Sequence, residues 1–222
     1  MKSINKLLRF IQRKRHAAGY GVHSQFAFEL IMDTIHTPYS YYIYEDNKNK
    51  IAKFELNEVV DIKYAELLFR LMNRFNAKNI LEIGSGVGVN TLYLTGHSIQ
   101  TTITCIEYDD DKLKNAQSLL ANKIKNIILT SVLTTEERVF DAIVWDLKQY
   151  PHNKNNVLDT ISKGIKRDGF VVINHINSGK ENKEIWQKIL QLDKLTMSFD
   201  LGEVGIGFFK PGLPKLNYEL YF

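Results

Sequence analysis

The order of apolar and polar positions divides the chain in two. From Ala77 onward, short apolar runs alternate with stretches of helical period. The runs at 79–83, 101–107, 126–130, 140–145 and 169–174 have the length and branched apolar content of buried strands. Between them, 89–96, 110–121, 155–165 and 180–192 read as helices, and two more strands fall at 195–201 and 203–209. The last residues, LNYELYF, read as an extended continuation of the final strand. Before Ala77 the period is helical. Residues 3–16 set Ile4, Leu7, Leu8 and Ile11 on one face, a stripe expected to dock on the domain or on a second subunit. Gly19 and Gly21 break that helix, and Ser24 is the N-cap of another running to Ile35. Tyr39, Tyr41, Tyr42 and Tyr44 crowd a loop that either covers a pocket or packs against the helices. Further helices are expected from Asn49 to Phe54 and from Tyr64 to Phe75.

Alternating strand and helix imply an α/β fold: a doubly wound, mostly parallel sheet with helices on both faces. The expected division is a helical extension over 1–63 and one domain over 64–222. Ligands of such sheets bind beyond the C-terminal strand ends, near the point where strand order reverses. Chemistry is therefore sought just after each strand.

The first strand opens into NILEIGSGVGVNT, with glycine at 84, 86 and 88. Glycine permits positive φ and close approach of a ligand to the backbone. A dinucleotide site wants G-x-G-x-x-G or a small residue at the last position, and Val89 breaks that pattern. Glu82, Gly84, Ser85, Gly86 and Gly88 form an acidic-x-G-x-G-x-G turn whose amides can hold a carboxylate. The second strand ends at Glu107, 23 residues past Gly84, placed to accept hydrogen bonds from ribose hydroxyls or to sit solvated. Tyr108 is placed to lie against an adenine, and Ser131 and Val132 follow the third strand at the level of that ring. Asp146 closes the fourth strand, Lys148 lies two residues on as a candidate base, and Asn174 and His175 end the fifth. His23, in a glycine-flanked turn, is a weaker candidate base.

Charge and cysteine content refine this picture. The 222 residues carry a net charge of +4, but residues 1–28 hold six basic side chains and no acid. Removing those six leaves 23 basic against 25 acidic residues, so the domain itself is slightly acidic. The basic helix fits an anionic surface or nucleic acid as well as simple docking. The single cysteine, Cys105, lies in an apolar strand and reads as packing in a reducing compartment. No run is long enough to span a membrane, and the chain is expected to be cytoplasmic.

The glycine turn, with IEYDDDKL, FDAIVWD, DGFVVINHINSG and DLGEVGIGFFK, resembles the class I methyltransferases that use S-adenosylmethionine. Within that class it is most similar to O-methyltransferases of the catechol and caffeoyl-CoA type. The N-terminal GYGVHS segment also looks like one in a family of bacterial methyltransferases. The resemblance covers about Asn79 to Phe209. It implies a Rossmann-like sheet of seven strands in the order 3-2-1-4-5-7-6, with S-adenosylmethionine as cofactor. Glu82, Gly84, Ser85, Gly86, Gly88, Glu107, Tyr108, Ser131, Val132 and Asp146 would contact the cofactor, and Asp146, Lys148 and His175 would serve the chemistry.

One departure bears on metal. Metal-dependent members carry aspartate after strand four and Asp-Asn after strand five; here the pair is Asn174-His175. Losing a carboxylate disfavours a hard cation, so a divalent metal is doubted, the alternative being a softer ion on Asp146 and His175. The lysine is also displaced, lying two residues past the aspartate instead of three. The expected activity is O-methylation of a small-molecule hydroxyl, by a chain that could pair as a homodimer. The alternatives are an RNA methyltransferase with a basic N-terminal arm, and a non-catalytic cofactor-binding protein.

Overall fold

The computed structural model describes residues 2–54, 60–133 and 139–222. An eight-stranded sheet runs through it in the order β3-β2-β1-β4-β5-β7-β6-β8. Its strands are β1 (Asn79–Ile83), β2 (Thr102–Ile106), β3 (Ile127–Thr130), β4 (Phe140–Asp146), β5 (Ile165–Asn174), β6 (Met197–Asp200), β7 (Val204–Phe208) and β8 (Leu216–Glu219). The first five are parallel, and β7 runs antiparallel between β5 and β6. The expected seven-strand order is present, with one correction. LNYELYF does not extend the preceding strand; the chain turns at Gly212 and adds β8 parallel to β6, Met197 opposite Leu216.

Successive strand residues face opposite layers, as the pleat requires. Ile80, Ile103, Val144 and Val172 enter one core, and Leu81, Ile83, Ile143, Val171 and Ile173 enter the other. The first core is covered by α4 (Ile62–Phe75), α5 (Val89–Leu94) and α6 (Asp110–Leu120), the second by α7 (Lys154–Gly164) and α8 (Lys180–Leu190). α4 buries Leu67, Leu68, Leu71 and Met72, the stripe that its period predicts. Asp61 caps it by accepting from the Tyr64 N–H at 3.0 Å, and Asn76 ends it in the left-handed region at φ 47°.

The N-terminal helices continue the first core. α1 is Lys2–Ala17; α2 is Gln25–Leu30, followed by a π-helical turn over Ile31–Ile35; α3 is Tyr42–Ala52. Ser24 caps α2 as expected. Arg70 of α4, 8% exposed, donates to the Thr34 and Ile35 carbonyls at 2.6 and 3.3 Å and so fastens the end of the π turn. The tyrosine segment is not a loop throughout. α3 begins at Tyr42, seven residues before the expected Asn49, and buries Ile43, Tyr44 and Asn47. Tyr44 packs on Phe69 and Tyr93, whereas Tyr39 and Tyr42 remain exposed. Aromatic crowding masks a short helical face in this stretch of sequence.

Of the two dockings expected of the α1 stripe, the one on the domain itself is overturned. The helix is held through its polar side: Arg13 donates to Asp200 at 2.9 Å, Glu219 at 3.3 Å and the Leu220 carbonyl at 3.3 Å. His16 adds a contact to the Glu219 carbonyl at 3.1 Å. Leu7, Leu8 and Ile11 face away and are 59, 58 and 45% exposed.

Candidate functional site

Strand order reverses between β1 and β4, so the polypeptide parts there at the C-terminal edge of the sheet. A cleft of about 310 Å³ opens at this edge. Its walls include the glycine turn after β1, Asp146, Lys148 and Gln149 after β4, and Asn174 and His175 after β5. Asp61, Tyr64 and Val60 close it from the N-terminal side of α4.

Gly84, Gly86 and Gly88 all have positive φ, +81°, +55° and +86°. At Gly84 a Cβ would stand 2.9 Å from Gln149 Cβ and 3.1 Å from the Tyr150 nitrogen, so the β1 and β4 turns interlock only without a side chain. At Gly88 it would meet Ala116 and Leu120 of α6 at 3.1 Å. The turn also uses most of its own amides. Gly84 and Ser85 donate to the Ile106 carbonyl, Gly88 to the Ser85 carbonyl, and Gly86 to Glu107 Oε2 at 2.7 Å.

Glu107 is therefore no solvated strand end. It is 1% exposed, and its second oxygen accepts from the Asp109 N–H at 3.0 Å. It ties the end of β2 to the glycine turn. Each oxygen keeps a second lone pair for a ligand hydroxyl.

Of the buried polar atoms without partners, those of Ser85 and Tyr64 lie on the cleft walls and that of Glu82 on β1 just before the glycine turn, whereas those of His36, Asn47 and Tyr93 lie outside the lining. Glu82 Oε1, Ser85 Oγ and the Tyr64 hydroxyl are buried with no hydrogen bond. Glu82 Oε2 accepts from Thr91 Oγ1 at 2.7 Å and Cys105 Sγ at 3.4 Å. Burial pushes the Glu82 carboxyl up to about 7, the Thr91 and Cys105 bonds oppose the rise, and Asp146 and Glu107 add to it. Burial, then the neighbouring charges of Asp146, Glu82 and Asp61, hold the Tyr64 phenol well above its ordinary range, so it stays a donor. Burial likewise raises the Cys105 thiol, consistent with packing and not with a reactive thiolate.

Asp146 is a hub. Its Oδ1 accepts from the Lys148 and Gln149 N–H groups at 2.9 Å each. Its Oδ2 accepts from Asn174 Nδ2 at 3.0 Å, a pairing set by the β4–β5 register that places the two residues opposite each other. His175 Nε2 lies 3.7 Å from that oxygen, and its Nδ1 lies 3.8 Å from Glu203 Oε2. His175 is in the left-handed region at φ 62°, held by Asn182 donating to its carbonyl and by its own N–H donating to Asn174 Oδ1. This donor set does not fit a hard cation. Asn174 turns its N–H toward Asp146, and its oxygen is taken by backbone. Among the described residues no group of three or more His, Cys, Asp or Glu side chains could hold a metal ion.

The cleft brings together Gly84, Ser85, Gly86, Asp146, Lys148 and His175. It does not bring in Tyr108, which is half exposed and packs edge-on to Tyr150 and His152, or Ser131 and Val132, which are exposed beyond β3. His23 is not part of its walls. The sequence reading missed Val60, Asp61 and Tyr64. The available signal was the N-cap aspartate three residues before a tyrosine on an otherwise apolar stripe.

No protein-family model matches the chain, and no curated protein matches it in sequence. Solved structures do match in three dimensions. A methyltransferase from Geobacter sulfurreducens superposes with a TM-score of 0.60 at 16% identity, covering 78% of this chain and 92% of that one. An O-methyltransferase from Bacillus cereus, solved in complex with S-adenosylhomocysteine (SAH), gives 0.59 at 15% identity over 79% and 94%. TomG, an O-methyltransferase of Streptomyces achromogenes involved in tomaymycin synthesis and solved with S-adenosylmethionine (SAM), gives 0.55 at 15% identity over 77% and 90%. The strand order β3-β2-β1-β4-β5-β7-β6, its helical layers and its C-terminal cleft thus form the fold that these methyltransferase structures share.

Proposed function

We propose that the chain transfers a methyl group from S-adenosylmethionine to a hydroxyl oxygen of a small molecule. The observation that carries this reading is the pair of unpartnered polar atoms, Ser85 Oγ and the Tyr64 hydroxyl, buried on the walls of a cleft at the switch point, with the unpartnered Glu82 Oε1 two residues before its glycine turn. Buried polar groups without partners are costly, and a polar ligand would relieve them. The Bacillus cereus and Streptomyces achromogenes structures, with SAH and SAM in the same fold, support the identity of that ligand.

Glu82 and Ser85 would hold the amino-acid end of the cofactor, and Glu107, through its remaining lone pairs, the ribose. Bound S-adenosylmethionine supplies an electrophilic methyl group on a sulfonium centre. Asp146, fixed by two backbone N–H groups and Asn174, presents its carboxyl group to the cleft. His175 is the residue we assign to take the proton of the acceptor hydroxyl, with Glu203 on the far side of the ring. Lys148, exposed at the mouth, is the second candidate base. The chain's main contribution is orientation of acceptor and methyl group in line. Neither step uses a metal.

Calorimetry with S-adenosylhomocysteine, S-adenosylmethionine and NAD tests the reading. Binding of the first two and not of NAD is expected; binding of NAD alone overturns it.

A further inference from the structure

α1 is amphipathic in the reverse sense to a docked helix. Its inward side is polar, with Arg13 and His16 bonded to the β6 and β8 ends. Its outward side carries Leu7, Leu8 and Ile11, 59, 58 and 45% exposed, and Tyr20 in the following turn is 66% exposed. Arg15 lies on the same outward side, and a groove of about 400 Å³ runs between Leu8, Ile11 and Tyr20. No acid lies in the first 28 residues.

We infer that this face docks on an anionic lipid surface. Three features on the helix select that occupant. Exposed leucine and isoleucine gain nothing from phosphates alone, which argues against RNA. Lys14 and Arg15, both exposed beside the stripe, would come close to their own copies in a dimer built on it, and like charges on apposed helices repel. An apolar stripe flanked by basic side chains, with a tyrosine at its edge, complements acyl chains below and anionic headgroups above. The helix is 16 residues long, and no helix among the described residues is long and apolar enough to cross a membrane, so the contact lies in the plane of the interface.

Co-sedimentation of the full chain with phosphatidylcholine vesicles, with and without phosphatidylglycerol, tests the inference. Binding should be roughly tenfold or more stronger with phosphatidylglycerol and should fall at high salt. It should be lost in the double variant Leu7→Glu, Ile11→Glu. That variant should keep its fold, checked by circular dichroism and melting temperature, because both side chains are exposed. Failure to sediment with phosphatidylglycerol vesicles overturns the inference. So does a concentration-dependent dimer that the double variant abolishes while vesicles are not bound. Vesicle binding that survives the double variant but is lost on Arg15→Glu also overturns it, since that would be a simple polyanion site.

Discussion

The cleft and the outer face of α1 break opposite rules. At the cleft, polar atoms are buried and left without partners; on α1, apolar side chains stand in water without cover. Neither exception is unique, since Asn47 and Tyr93 also bury unpartnered polar atoms and Ile99 is also exposed, but other parts of the chain show both rules obeyed. The Arg70 guanidinium is satisfied by carbonyls, and the α4 stripe is fully covered. Each exception costs the isolated chain free energy, and the sign of the cost indicates the kind of molecule that would relieve it. Buried unpaired oxygens call for a polar ligand, and an exposed apolar stripe beside cations calls for an amphipathic surface.

The sharpest way to break the cleft side of this comparison is Gly84→Ala. It forces a left-handed residue and a contact at 2.9 Å with Gln149. A loss of about 2–4 kcal/mol in urea denaturation is expected, with loss of SAH binding. Wild-type stability in that variant would mean the β1 and β4 turns do not interlock.

Glu82 gives a pH test. Its folded carboxyl titrates near 7 against an ordinary 4.5, so the folded state holds a proton that the unfolded chain releases earlier. Stability from this group is complete below about 4.5 and is lost as pH rises to about 7. The loss is on the order of 3 kcal/mol, since each pH unit between the two titration points is worth about 1.4 kcal/mol. Glu82→Gln should flatten that slope in the ligand-free protein and weaken S-adenosylmethionine binding. An unchanged slope would assign it to other groups.

Glu107→Ala removes the acceptor of two backbone N–H groups. A loss of roughly 1–3 kcal/mol in stability is expected, together with weaker cofactor binding. If affinity falls while stability holds, Glu107 is a ligand contact and not a tie of the glycine turn.

The smallest expected effect is that of chelation. Once an acceptor is known, turnover should survive EDTA and fall on Asp146→Asn. Restoration of EDTA-abolished turnover by Mg²⁺ would show that Asn174 reorients to offer its oxygen. Restoration by Zn²⁺ alone would implicate His175.

What the sequence by itself determined was local: strand and helix spacing, the Ser24 cap, the glycine turn and the residues that end β1, β2, β4 and β5. These follow from side-chain period and backbone freedom within about a dozen neighbours. Tertiary structure decided the rest. Tyr64 joins the cleft because α4 packs over the switch point, and Asn174 gives its amide to Asp146 because β4 and β5 pair in that register. β8 pairs with β6 because that edge was open; the alternation of Leu216, Tyr218 and Leu220 with Asn217 and Glu219 marks an extended segment but does not say which strand it joins. The α1 stripe points outward because Arg13 and His16 find partners on β6 and β8. Periodicity reveals that a helix has an apolar face; only the contacts made by its other face decide whether that stripe is turned to the core or to the solvent.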